Sequence, residues 1–225
     1  MAIILNIDTS AAVAAVSISN NGLLSGFIQN NEQKEHASFL QPAIKRLLIQ
    51  LQIKINDLDA IAAVNGPGSY TGLRVGLASA KGICYALKKP FITIGSLPIM
   101  AKSAIINLQI AHKQVPLLCP MIDARRMEVF TAIYNSTMAE ILPAQAILLN
   151  NLSFVELLLQ NKILFFGNGA NKLQEICQHP NAIFEGQFNS LQALCELSHN
   201  EFALNKFTDL AFSEPLYLKE FYNGQ

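Results

Sequence analysis

The sequence predicts an α/β protein with two similar lobes, each a mixed sheet flanked by helices. Its 225 residues exceed one typical domain and are few for two independent ones. In the first hundred residues the predicted elements follow the order β-β-β-α-β-α-β, which is typical of a mixed sheet covered by helices. A similar order then starts again. We therefore expect a first lobe of residues 1–100, rejoined by about 210–225, and a second lobe of 101–209.

Three short strands open the first lobe. The apolar and alternating segments 3–7, 12–19 and 23–29 have the pattern of strands. Asn20, Asn21 and Gly22 separate the last two of them and are typical turn residues. The sequence therefore predicts an antiparallel meander at the start of the fold.

Helices and buried strands alternate after the meander. Residues 36–53 carry apolar side chains at helical spacing, and Pro42 is tolerable there only in the first two turns. Residues 60–64 predict a buried strand, 66–72 a loop, and 73–87 a helix that ends before Pro90. Residues 91–94 complete the lobe as a strand.

The second lobe repeats this order without a detectable sequence repeat. A helix over 97–108 precedes a hairpin of strands 115–122 and 128–135. The remaining predicted elements are an extended segment at 138–149, a helix from Ser153, a strand at 163–166, and helices near Ala170 and Ser190.

The charge composition argues against binding of nucleic acid by bulk charge. Sixteen basic and sixteen acidic residues give a formal net charge of zero. Only 14% of the residues are charged, against about 25% in ordinary domains, while 51% are hydrophobic. Such a surface favours association with a protein partner, and RNA is expected to bind only through that complex.

The sequence predicts a cytoplasmic protein. No Lys or Arg precedes Lys34, so the cationic start of a secretory signal is missing, and no apolar stretch is long enough to span a membrane. The four cysteines lie far apart without a C-x-x-C pair, which suits buried thiols in a reducing compartment.

The strongest local signal is the glycine-rich segment 66–74, Gly-Pro-Gly-Ser-Tyr-Thr-Gly-Leu-Arg, between a strand and a helix. Backbone N–H groups and the helix dipole at such a place can hold a phosphate. The spacing does not match the phosphate-loop, dinucleotide or nucleophile-elbow patterns. A nucleotide site and a tight structural turn therefore both remain open, with Gly68 and Ser69 as candidate ligand-binding residues.

The helix after this segment is rich in small residues. Gly72, Gly76 and Ala80 recur every four residues on one face, although each interior Gly costs about 0.8–1.0 kcal/mol relative to Ala. Close approach of another helix offsets such a cost. That helix can belong to a partner, or the face can pack against this chain's own sheet or first helix.

Two further polar segments follow predicted strands. Asp8, Thr9 and Ser10 form a set typical of phosphate or Mg²⁺ ligands, and Asp8 and Thr9 are candidate cofactor-binding residues. Asp123 with Arg125, and the segment Gly167–Ala170, can converge on one cleft in the same way. Ordinary turn chemistry explains these segments equally well.

Neither a metal site nor a catalytic triad emerges from the spacing. The four histidines form no H-x-x-H or H-x-x-x-H pair, and no spacing links Ser69 to a His and an Asp. No metal ligands and no catalytic residues are predicted.

Together these segments identify a family. The chain resembles the TsaB (YeaZ) family from residue 3 to about 219, most specifically in residues 66–74. The other matching segments are Ile4–Ser10, His36–Pro42, Asp123–Arg125, Gly167–Ala170 and Pro215–Leu218. The chain departs from the family pattern at Tyr70, Arg126, Met127 and Lys219.

The resemblance implies an actin-like ATPase (ASKHA, ribonuclease H-like) fold and a role in making threonylcarbamoyladenosine beside the anticodon of tRNA. In that pathway TsaD holds a metal and transfers the threonylcarbamoyl group, TsaB binds TsaD, and the ATPase TsaE joins them. The resemblance therefore implies a noncatalytic scaffold that activates TsaD, needs no cofactor of its own and leaves room for ATP in the complex.

The alternative is an active enzyme of the same superfold, either a small-molecule kinase or a glycoprotease-like peptidase. For the scaffold, we expect the helices 36–51 and 72–87 to form the TsaD interface, which also makes a homodimer when TsaD is absent. The predicted interface residues are His36, Leu40, Leu47, Gly72, Leu73, Gly76, Leu77 and Ala80.

Overall fold

The computed structural model describes residues 1–32, 35–112, 115–189 and 191–219. The chain divides into two compact units. Among the described residues, the first comprises 1–99 with 191–216, and the second comprises 100–189 with 217–219. The boundary lies within helix α3, Ser96–Ile110.

The first unit contains a five-stranded sheet with the order β3-β2-β1-β4-β5. Strands β1 to β3 pair antiparallel, and β4 and β5 continue the sheet parallel to β1. The bounds are β1 Ile3–Asp8, β2 Ala14–Asn20, β3 Leu23–Asn30, β4 Ala60–Gly66 and β5 Phe91–Gly95.

Helices cover both faces of this sheet. Because successive strand residues point to opposite faces, Leu5 packs in the cluster that includes α1 and α2, while Ile4 packs with Leu194 of α6. The bounds are α1 His36–Gln50, α2 Tyr70–Leu87 and α6 Leu191–Ala203. The two clusters, one on each face of the sheet, form the hydrophobic core of the unit.

Two helix ends differ from the prediction. Helix α1 ends at Gln50 rather than at residue 53. Helix α2 begins at Tyr70 rather than at residue 73, because Ser69 is its N-cap and the Ser69 hydroxyl accepts a hydrogen bond from the Gly72 N–H. Half of the predicted glycine loop is therefore the first turn of a helix.

The second unit contains a sheet of the same design, ordered β10-β9-β6-β7-β8. Strands β6 to β8 pair antiparallel, and β9 and β10 extend the sheet parallel to β6. The strands are β6 Leu117–Asp123, β7 Glu128–Tyr134, β8 Glu140–Leu148, β9 Ile163–Phe166 and β10 Ala182–Phe184. The short helices are α4 Val155–Leu158 and α5 Ala170–Gln174. The predicted α/β class with two mixed sheets is confirmed.

The C-terminal segment returns to the first unit at Leu191, earlier than the expected residue 210. Helix α6 buries Ala193, Leu194 and Cys195 against the first sheet. Its Ser198 hydroxyl donates to Asn6 Oδ1 of β1 at 2.6 Å, and both side chains are fully buried. Residues 191–209 therefore belong to the first lobe, which corrects the predicted boundary.

The described helices include no candidate membrane span, since none of them is both long and apolar enough to cross a bilayer.

The contact between Ser198 and Asn6 predicts a stability effect. The substitution Ser198→Ala leaves Asn6 Oδ1 buried without its donor, which costs about 1–3 kcal/mol. We expect the melting temperature to fall by roughly 2–4 °C per kcal/mol in a thermal unfolding experiment. The matched control is Ser38→Ala, an exposed hydroxyl that bonds only to the nearby Glu35 carbonyl. Equal melting temperatures for the two variants would contradict this role.

Candidate functional site

The carboxyl ends of β1 and β4 lie side by side because these strands are parallel neighbours. Asp8 is the last residue of β1 and Thr9 follows it, and Gly68 and Ser69 follow β4, so the four predicted cofactor-binding candidates lie at the same edge of the sheet. The Ser69 N–H donates to the Ser10 carbonyl at 2.7 Å and joins the two segments directly.

Ser10 holds the Asp8 carboxyl group. Asp8 Oδ1 accepts hydrogen bonds from the Ser10 N–H at 2.9 Å and from the Ser10 hydroxyl at 2.6 Å. Burial raises the pKa of Asp8, although these two bonds and the charge of nearby His36 act in the opposite direction. No sequence pattern predicts that Ser10 is the partner of this carboxyl group.

His36 lies near Asp8 but is not arranged as a catalytic base. The His36 ring is buried, and its Nε2 lies 3.2 Å from the Ala12 carbonyl oxygen. The Ser10 hydroxyl bonds to Asp8 rather than to this ring. A nucleophile needs a base within hydrogen-bond reach, so these three residues do not form a serine triad.

The glycines of the motif allow close approach of the chain's own backbone. A Cβ at Gly68 would collide with the Ser10 carbonyl, and one at Gly72 would collide with the Thr9 carbonyl. A Cβ at Gly76 would collide with Thr9 Oγ1, which donates to the Gly72 carbonyl at 2.7 Å. Carbonyl oxygens of the segment after β1 therefore lie against the start of α2, where a phosphate loop would present N–H groups to an anion.

The second unit places a related set at the carboxyl ends of β6 and β9. The Asp123 N–H donates to Asn168 Oδ1 at 3.0 Å, and Lys172 Nζ donates to Asp123 Oδ1 at 2.6 Å. The hydrogen bond from Lys172 lowers the pKa of Asp123. Gly169 lies so close to the backbone of residues 122 and 123 that a Cβ there would be crowded. Each unit thus joins its first strand to a glycine turn at equivalent positions.

Residues 1–32, 35–112, 115–189 and 191–219 contain no cluster of side chains that could bind a metal ion. No group of three or more His, Cys, Asp or Glu side chains there can hold a metal ion. The cysteines Cys84 and Cys119 are buried, and burial raises the pKa of each thiol to about 12.

The predicted interface residues point inward. Leu40 and Leu47 of α1, like Leu77 and Ala80 of α2, belong to the core under the first sheet. The full buried set is His36, Leu40, Leu47, Gly72, Leu73, Gly76, Leu77 and Ala80. The small-residue face packs against β1 and the segment after it, so these side chains are not available to a partner, and this prediction is corrected.

Residues 14–213 match the model of the TsaD family, which is described as tRNA N6-adenosine threonylcarbamoyltransferase. This match covers most of the chain, including every strand except β1 and the glycine-rich segment 66–74.

Curated relatives carry the name tRNA threonylcarbamoyladenosine biosynthesis protein TsaB. The protein from Bacillus subtilis is 29% identical over 170 residues, 73% of this chain and 70% of that protein. The protein from Buchnera aphidicola subsp. Baizongia pistaciae is 30% identical over 174 residues, 75% of this chain and 76% of its own length. The match spans only 54% of the Escherichia coli relative.

The solved structure of YeaZ from Pseudomonas aeruginosa has the same fold. It superposes with a TM-score of 0.80 at 22% identity, covering 97% of this chain and all of that one. This likeness shows that the two chains share a fold, which in this chain contains two five-stranded mixed sheets.

The two interior glycines of α2 predict opposite stability effects. Gly76→Ala forces a methyl group into Thr9 and should destabilise the protein by about 1–3 kcal/mol. Gly82→Ala should stabilise it by about 0.5–1 kcal/mol, because Gly82 is exposed and has open space around its Cβ position. Chemical denaturation measures both changes in the free energy of unfolding. Stabilisation by Gly76→Ala together with destabilisation by Gly82→Ala would show that the opposite face of the helix packs inward.

The buried carboxyl group predicts a pH-dependent effect of Asp8→Asn. Because the folded-state pKa is raised, ionised Asp8 destabilises the fold above that pKa, and protonation removes this penalty. The Asn side chain keeps the Oδ1 acceptor for Ser10 without the charge. We therefore expect Asp8→Asn to melt higher than the parent at pH 7.5, with the difference shrinking as the pH falls.

The matched control for this substitution is Asp209→Asn. Asp209 is exposed, and its Oδ1 accepts two backbone N–H groups, from Ala211 and Phe212. Thermal unfolding at several pH values compares the two variants. An Asp8→Asn protein that is less stable than the parent at pH 7.5 would show that the charge itself is required.

Proposed function

The chain belongs to the TsaD family and, within it, to the TsaB (YeaZ) group of tRNA threonylcarbamoyladenosine biosynthesis proteins, and from this we propose that it serves as a noncatalytic scaffold that activates TsaD in tRNA modification. We propose that it acts in the cytoplasm. The observation that carries the proposal is that the model of the transferase itself covers residues 14–213 of this chain. Two chains of common descent can pair through equivalent surfaces around a pseudo-twofold axis.

The state of the side chains near α2 supports a noncatalytic role. Asp8 is bonded to Ser10, Thr9 Oγ1 donates to the Gly72 carbonyl, and the Ser69 hydroxyl caps α2. One oxygen of Asp8 and the hydroxyl groups of Thr9 and Ser69 are therefore used within the fold. We propose that this chain needs no cofactor, and that ATP and TsaE enter as parts of the complex.

We place the partner surface on the outward faces of α1 and α2. These helices lie next to each other, and their exposed sides are free of the core contacts that hold the eight inward residues. Ala78 and Gly82 are exposed one turn apart on α2, and Tyr85 beside them is 80% exposed. Small residues and an exposed aromatic ring suit close helix packing.

Gly82 gives this surface its specific support. Gly72 and Gly76 are required by contacts within the chain, but nothing lies within 4 Å of the Cβ position of Gly82. An exposed Gly inside a helix costs about 0.8–1.0 kcal/mol relative to Ala, with no internal packing to offset it. A partner helix that approaches closely at Gly82 would offset that cost. We propose that TsaD supplies this helix, and that a second copy of the chain does so when TsaD is absent.

Reconstitution tests the proposed function. The chain, the TsaD protein of the same organism, a threonylcarbamoyl donor system and unmodified tRNA are combined, and modified adenosine is measured by mass spectrometry of digested tRNA. We expect modification to depend on this chain, while the chain alone neither hydrolyses ATP nor cleaves peptides. ATP hydrolysis or peptide cleavage that is lost in Asp8→Ala would instead support an active enzyme.

The partner surface predicts an effect of Ala78→Leu. The added bulk on the outward face of α2 should weaken binding to TsaD about tenfold or more, the equivalent of roughly 1.4 kcal/mol, and should weaken the homodimer as well. The control Ala203→Leu makes the same change at an exposed position of α6. Calorimetry with TsaD and analytical ultracentrifugation of the chain alone measure the two assemblies. Equal affinities for both variants would place the interface elsewhere.

A further inference from the structure

The turn between β6 and β7 holds two adjacent arginines in an unfavourable backbone conformation. Arg125 has a φ of 69° and Arg126 a φ of 47°, both in the left-handed region. Tight hairpin turns with two such residues favour Asn and Gly, and a bulky side chain there costs about 1–2 kcal/mol. Strain of this kind persists where the surroundings hold it in place, and it is concentrated at functional positions.

Hydrogen bonds hold the turn in this conformation. The Arg125 N–H donates to Asp123 Oδ1 at 2.6 Å, and the Glu128 N–H donates to the Arg125 carbonyl at 3.1 Å. The Ala124 N–H donates to the Glu128 carbonyl at 3.1 Å and closes the hairpin. These bonds hold the backbone that positions the two arginine side chains.

Lysines neutralise the two acidic residues of the turn. Lys172 Nζ contacts Asp123 at 2.6 Å, and Lys219 pairs with Glu128. Within residues 115–189 and the other described segments, neither the Arg125 nor the Arg126 side chain forms an ion pair, and both residues are exposed. The turn therefore presents a local positive charge on a chain whose net charge is zero.

We propose that the Arg125–Arg126 turn binds the phosphate backbone of tRNA when the chain is assembled with TsaD. This inference rests on the proposed function, which brings tRNA to the complex. Guanidinium groups bind phosphate oxygens through two parallel hydrogen bonds, and adjacent arginines can contact more than one phosphate. Contacts of this kind position an RNA without reading its sequence.

The exposure of the turn favours a polymer over a free nucleotide. Small-molecule sites are concave and bury most of their ligand, whereas residues 125–127 are all exposed at the end of two strands. A chain without net charge cannot hold RNA by its overall field. A fixed pair of unneutralised arginines supplies the attraction locally.

The test measures tRNA binding to the complex of this chain and TsaD by fluorescence anisotropy at several salt concentrations. The double variant Arg125→Gln/Arg126→Gln should bind about tenfold more weakly at low salt, and the slope of log affinity against log salt should fall by about 1 to 2. The control Lys54→Gln/Lys206→Gln removes the same charge from exposed positions in the first unit and should leave both values nearly unchanged.

Two more variants separate charge from geometry and strain. Arg125→Lys/Arg126→Lys keeps the charge without the paired hydrogen bonds, so it should keep the salt slope and bind with intermediate affinity. Arg126→Gly relieves the strain, so it should melt higher than the parent and still bind tRNA several-fold more weakly. Arg126→Gly stays informative if Arg125→Gln/Arg126→Gln is poorly folded.

The outcomes distinguish this inference from the proposed function. Complex formation with TsaD is measured first, and its absence would contradict the proposed function. If the complex forms but Arg125→Gln/Arg126→Gln and Lys54→Gln/Lys206→Gln lose tRNA affinity equally, the inference is overturned. It is also overturned if neither of these two variants loses affinity. Weaker binding of ATP with unchanged tRNA binding would also overturn it, because the turn would then serve a nucleotide.

Discussion

The first unit depends on the close approach of the segment after β1 to the start of α2. The Ser10 carbonyl oxygen occupies the space that a side chain at position 68 would need, and the Thr9 carbonyl oxygen does the same at position 72. The Thr9 hydroxyl and the Ser69 N–H then join the two segments by hydrogen bonds. Because the carbonyls lie against the helix start, this approach determines both the orientation of α2 and the chemistry available at its N-terminus.

The same constraint divides the small residues of α2 into two groups. Gly76 faces Thr9 because the helix must come close to β1, and this orientation turns Ala78 and Gly82 outward. The inward glycine contributes to folding, whereas the outward one has no contact within 4 Å that requires it. A single helix therefore combines a core face with a surface suited to another helix, which explains why its composition departs from intrinsic helix propensity.

The sequence predicts β1 to β3 well because these segments have the apolar and alternating patterns of strands and the turn between β2 and β3 carries Asn and Gly. It does not predict which side of α2 packs inward, since recurrence every four residues identifies a face but not its partner. The early return of the chain also depends on a distant pairing, that of Ser198 with Asn6. Strand β10 has only three residues and leaves too little periodicity to detect. At the site, the sequence predicts Asp8, Thr9, Gly68 and Ser69 as separate candidates, and their proximity follows from the parallel pairing of β1 with β4. The bond between Ser10 and Asp8 depends on the local path of the chain after β1, which no periodicity reveals.

The two units use equivalent positions for different purposes. At the end of β1, Asp8 is half-buried and bonded to Ser10, and desolvation disfavours its charge. At the end of β6, Asp123 is exposed and paired with Lys172, which favours its charged form. The first arrangement stabilises a junction inside a lobe, and the second supports a charged turn at the surface. A repeated fold thus places one aspartate in a packed junction and the other beside an exposed charged turn, because burial rather than residue type decides what each carboxylate does.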